Sequence, residues 1–95
     1  MGFNLFNRFK PISCRDAERA LRNLGFVEEP KKSSSHRRWR LYRNERLFKV
    51  TLDCHRGEVK ALNVKSMIKQ AGVTAEEFYK AIESKVSLKE SQTDN

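Results

Sequence analysis

Eight residues, SSSHRRWR from Ser33 to Arg40, bring together an imidazole, three guanidiniums and the chain's single tryptophan. Those groups suit one kind of chemistry. RNA carries its own nucleophile, the 2′-hydroxyl. Its cleavage needs a base for that proton, an acid for the leaving 5′-oxygen and cations for the charge that builds on phosphorus. Histidine as a residue type titrates near neutral pH and serves as either acid or base. Arginine offers the planar fork that phosphate accepts. His36 beside Arg38, Arg40 and Lys49 is therefore a candidate centre for metal-independent cleavage of RNA. The competing expectation is that an exposed histidine on a strand is only a polar surface residue.

The charge balance points the same way. The chain has 95 residues, with 20 Lys and Arg against 12 Asp and Glu, for a net charge of +8. Residues 31 to 60 hold ten of the basic residues and only three acidic ones, so nearly the whole excess lies in the middle third. Such a field attracts polyanions at long range. An acidic protein partner and an anionic membrane surface are the other classes that charge alone admits. No apolar run approaches the roughly 20 residues of a membrane span, and of these classes RNA and a protein are the expected partners, with no membrane. The opening MGFNLFNRFK lacks the apolar core of a signal peptide, and Phe6 stands where a myristoylation signal has Ser or Thr. No glycine-rich phosphate loop, paired catalytic carboxylates or Cys–His metal spacing is present, so no cofactor or metal is expected. Cys14 and Cys54 fit neither a metal pattern nor a disulfide framework. They read as reduced thiols of a cytoplasmic protein.

Hydrophobic periodicity supplies the elements that must position these groups. Ser13 caps a helix over 14–24, with Asp16 three residues on and Ala17, Ala20, Leu21 and Leu24 in one stripe. Gly25 ends it. Phe26 to Glu29 is a short strand closed by Pro30. His36–Arg43 and Leu47–Cys54 form a hairpin. Phe48, Val50, Leu52 and Cys54 alternate with Lys49, Thr51 and Asp53, and Trp39 and Leu41 share a face in the first strand. A turn centred on Asn44-Glu45 sets Trp39 opposite Val50 and Leu41 opposite Phe48. A slip of one residue would put Trp39 against a polar side chain, so the pattern selects the register. A four-residue loop of the same register is equally acceptable.

In this register Trp39 belongs to the core, while His36, Arg38, Arg40 and Tyr42 face outward with Lys49. Asp53 comes opposite His36 and is a candidate to orient the imidazole. A second helix is expected from a cap at Asn63 to a stop at Gly72. A third follows a capping box of Thr74 and Glu77, with Val73 and Phe78 as a hydrophobic staple. The polar stretch 86–95 reads as a disordered tail. The order α-β-β-β-α-α predicts an α+β two-layer sandwich, a three-stranded antiparallel sheet with helices on one face.

Several segments resemble the HicA family of bacterial toxins, also called YcfA-like mRNA interferases. They are KPISCRDAERALRNLGF, SSH leading a strand with an aromatic three residues later, KVTLDCHRG and LNVKSMIKQAGVTAEEF, in that order and spacing over about residues 10 to 84. The resemblance implies a fold similar to the double-stranded RNA-binding domain. It also implies an endoribonuclease that cleaves mRNA and inhibits translation, and a HicB-like antitoxin that covers the active surface. The family's catalytic histidine lies in a Gly-Ser-His motif, which maps onto Ser34-Ser35-His36, so the catalytic role is carried to His36. The resemblance is carried no further than His36; Arg38, Arg40 and Lys49, from their own chemistry on the outer face, and Ser35 are the expected RNA-binding residues. Ser34 replaces the motif glycine, and Cys54 stands where the family often has proline. The alternative is a catalytically silent RNA-binding module on the same fold. The expected organisation is an N-terminal extension (1–9), the HicA-like domain (10–85) and the tail (86–95).

Overall fold

The computed structural model describes residues 9–30 and 36–83. Along the chain run β1 (Ile12–Ser13), α1 (Cys14–Asn23), β2 (Val27–Glu28), β3 (Arg37–Arg43), β4 (Arg46–Leu52), β5 (Glu58–Val59), α2 (Ala61–Ala71) and α3 (Ala75–Glu83). Strands β2, β3 and β4 make a three-stranded antiparallel sheet with β3 in the centre. With its three helices this is the predicted α+β sandwich, of the double-stranded-RNA-binding-domain-like kind.

The hairpin adopts the register that its apolar residues require. Trp39 pairs with Val50, Leu41 with Phe48 and Arg43 with Arg46. The two-residue turn places Asn44 and Glu45 at φ 53° and 63°. Both are left-handed, as the primed hairpin turn that matches strand twist demands. One face of the hairpin then enters the core: Trp39, Val50 and Leu52 are fully or almost fully buried, against Ala17, Ala20 and Leu21 of α1 and Val64, Met67, Ile68 and Ala71 of α2. Phe78 of α3 completes the same cluster.

The helix ends follow their local chemistry. Ser13 Oγ accepts from the Asp16 N–H at 3.0 Å. Helix α1 closes with Phe26 N–H donating to Leu21 O at 2.9 Å and Gly25 N–H to Arg22 O at 3.0 Å, the Schellman pattern. Thr74 and Glu77 form the reciprocal capping box, at 2.8 and 3.0 Å. The start of α2 differs from expectation. Lys60, not Asn63, is the N-cap, and it makes no side-chain cap bond. The chain enters this helix directly from β5, whose Val59 is fully buried. The position of that buried anchor outranks the local preference of Asn63 for a cap.

Two further features come from tertiary contact alone. Ile12 pairs with Val59 and Ser13 with Glu58 in a separate two-stranded ladder, too short to leave a periodic pattern. Cys14 and Cys54 are joined in a disulfide, with their Cα atoms 5.7 Å apart, inside the range such bonds span. This corrects the reading of both as reduced thiols. They lie 40 residues apart in sequence, and meet because α1 begins beside the end of β4. The argument for a reducing compartment from unpaired cysteines therefore loses its basis. Among the described residues no helix is long and apolar enough to cross a membrane. Of the expected extension over 1–9 only Phe9 is described, partly buried against the core; residues 1–8 and the expected tail lie outside the described residues.

Gly72 joins α2 to the hairpin tip. It is left-handed, at φ 72°, and a Cβ there would come within 2.6 Å of Phe48 Cε2 and 3.1 Å of Arg43 Nη2. Gly72→Ala is expected to cost about 1–3 kcal/mol, from the left-handed backbone and the displaced ring together. A denaturant midpoint unchanged from the parent would refute that packing.

Candidate functional site

Alternation along β3 divides the arginines of the opening segment. Arg38 and Arg40 are exposed, as is Tyr42. Arg37 lies on the opposite phase with Trp39. Across the hairpin, Arg38 pairs with Thr51 and Arg40 with Lys49. Lys49 also lies 3.5 Å from a Glu29 carboxylate oxygen. Two cations directly opposed on one strand pair destabilise the sheet slightly. The Arg40–Lys49 pair is thus a cost to folding that an anionic ligand would relieve.

His36 precedes β3 and Asp53 follows β4, so the two extend the hairpin register by one pair. Their Nε2 and Oδ2 atoms stand 3.6 Å apart, with both side chains about half exposed. That separation exceeds hydrogen-bond length. The contact is electrostatic and acts when the imidazole carries a proton. Asp53 precedes the disulfide-bonded Cys54, so a covalent tie to α1 begins at the next residue. Ser34 and Ser35 lie outside the described residues. His55 is exposed and makes an isolated bridge to Glu58, its N–H donating to Glu58 O at 2.7 Å. It does not enter the His36–Asp53 pair.

The residue that the sequence reading missed is Arg37. Its guanidinium donates to both Glu28 oxygens, at 2.6 and 2.9 Å, and to Glu18 Oε2 at 2.6 Å. It also lies over the Trp39 ring, 5.8 Å from the centroid. The Glu28 hydrogen bonds hold its protonated form well above the ordinary arginine value; partial burial opposes this, and Glu18 adds to the rise. Arg37 therefore bolts the start of β3 to α1 and β2, one residue beyond His36. The inward phase of residue 37 was legible beside Trp39. Its two carboxylate partners were not, because they come from separate elements.

The geometry is an open, cationic strand face with an imidazole–carboxylate pair at one end and a fixed arginine behind it. Comparison with protein families agrees with the resemblance noted in the sequence. The family described as the HicA toxin of bacterial toxin-antitoxin systems matches residues 14–73. No curated protein matches the sequence. The matched span covers α1, the whole three-stranded sheet, β5 and α2, well over half of the chain. The chain belongs to the HicA toxin family of bacterial toxin–antitoxin systems.

Proposed function

We propose that this toxin is an endoribonuclease that cleaves mRNA without a metal ion and so inhibits translation. The observation that carries the reading is the half-exposed His36–Asp53 pair at the end of a strand face bearing Arg38, Arg40 and Lys49. In this reading His36 moves a proton at the scissile phosphate and Asp53 orients its ring. The RNA 2′-hydroxyl attacks the adjacent phosphorus and the bond to the 5′-oxygen breaks. The products carry a cyclic phosphate and a free 5′-hydroxyl. Arg38, Arg40 and Lys49 hold the phosphates, and Ser35 lies beside them in sequence. The setting is the cytoplasm, where mRNA is, and the natural inhibitor is a HicB-like antitoxin that covers this basic face.

The test is cleavage of a long RNA by the purified chain in EDTA, with the new ends analysed. Cyclic phosphate and 5′-hydroxyl ends support the mechanism. Binding without cleavage supports the silent RNA-binding module instead. A second measurement concerns the phosphate contacts. The double change Arg38→Ala with Arg40→Ala is expected to weaken binding to all RNA sequences alike. It should also reduce the steepness of the salt dependence by about 0.7 for each lost single-strand contact. Sequence-selective loss, or an unchanged slope, would remove these arginines from the backbone contacts.

A further inference from the structure

We propose that the cleft between the β3–β4 turn and the C-terminal end of α2 is a second RNA-backbone subsite. It would hold the strand several nucleotides from the phosphate at His36, and it rests on the RNA-cleavage reading of the hairpin. The cleft has a volume of about 580 Å³ and is lined by cations from two elements: Arg43, Arg46 and Lys49 of the hairpin and Lys69 of α2. Gln70, Asn44 and Gly72 complete its polar rim, and among the described residues no carboxylate lines it. Its cations are not equivalent. Arg43 Nη2 lies 3.4 Å from Ala71 O and its guanidinium stacks 4.3 Å from the Phe48 centroid. It neutralises the carbonyl end of α2, which would otherwise repel an anion. Arg46 stacks 5.1 Å from the same ring and directly opposes Arg43 in the hairpin. The two flank an aromatic that fixes them at little entropic cost. Lys69 is exposed in the last turn of α2.

Two features select a nucleic-acid strand as the ligand. Arg43–Arg46 is a second unfavourable like-charge pair, on the Phe48 side of the hairpin, whereas Arg40–Lys49 lies on the outer side, so cations are opposed on both faces of the strand pair. Lys49 belongs to both places, because it opposes Arg40 and lines the cleft. Lys49 sits on β4, the edge of the three-stranded sheet, so the cations lead from the outer face around that edge into the cleft, a path that a flexible single strand can follow. From His36 to Arg43 the strand advances about 23 Å at the usual rise per residue. At about 3.4 Å per stacked nucleotide that is about seven nucleotides, within the range single strands occupy on such platforms.

The experiment compares fluorescent single-stranded RNAs of about 4 and about 12 nucleotides, with binding measured at several salt concentrations. For the parent chain the longer RNA should bind more tightly and with a steeper salt dependence. In the Arg46→Ala, Lys69→Ala double variant that difference should vanish, with the slope for the long RNA falling by about 1.4 for two lost single-strand contacts. Lys69→Ala alone, which leaves the Phe48 stack intact, should give about half the effect, and melting curves establish that both variants are folded. Parent-like binding of the long RNA by the double variant would overturn the proposal. So would retained RNA binding with lost affinity for the co-expressed antitoxin, which would assign the cleft to the protein partner. Because the readout is binding, failure of the parent to cleave RNA would overturn the nuclease reading and leave the length result to decide the cleft.

Discussion

Replacing His36 by alanine is expected to lower RNA cleavage by roughly 100-fold or more, the usual worth of general acid–base catalysis, while most RNA affinity remains. The imidazole contributes at most one positive charge to a face that keeps Arg38, Arg40 and Lys49. Binding, dominated by phosphate contacts, should therefore change little. His36→Ala is also a mild change for the fold, because the side chain is about half exposed. Asp53→Asn sharpens the assignment. It keeps size and hydrogen-bonding capacity but removes the charge 3.6 Å from the ring. If Asp53 orients His36, cleavage should fall with affinity unchanged. Gel-resolved cleavage in EDTA, beside binding at several salt concentrations, reads both. Cleavage by His36→Ala at the parent rate would sink the catalytic assignment and leave the face as an RNA-binding surface only.

Trp39→Ala is expected to cost about 3–5 kcal/mol, the range for removing a large aromatic from a core. Trp39 is fully buried, at the centre of the sheet, opposite Val50 and beneath the guanidinium of Arg22 at 5.2 Å. A small domain is stable by about 5–15 kcal/mol, so this one change removes a large share of the margin. Trp39→Phe should cost far less. It leaves most of the ring's apolar volume, and the indole Nε1 is buried without a hydrogen-bond partner among the described residues, so its loss strands no acceptor. Denaturant midpoints for the pair provide the check. An alanine variant as stable as the parent would refute the strand phase, and with it the outward direction of Arg38 and Arg40.

The sequence by itself determined the hairpin and what faces outward from it. Side chains alternate strictly along a strand, so burying Trp39, Leu41, Phe48, Val50 and Leu52 on one side leaves Arg38, Arg40 and Lys49 on the other. The same period sets Asp53 opposite His36. The caps at Ser13 and Thr74 and the glycine ends at Gly25 and Gly72 were also legible, because each is decided by residues within one helical turn.

What only the tertiary structure decided depends on contacts between residues distant in the chain. Arg37 reads as one more cation in a basic segment, yet it is held by Glu18 and Glu28 from two other elements. Cys14 and Cys54 meet only once α1 is laid beside the end of β4. The β1–β5 ladder and the early start of α2, with Lys60 as its N-cap, share that origin, since Val59 is buried by partners distant in sequence. The cationic cleft exists because Gly72 lets the end of α2 approach Phe48, setting Lys69 beside Arg43 and Arg46. Local periodicity decides which way a side chain points; which distant group it meets is decided by packing.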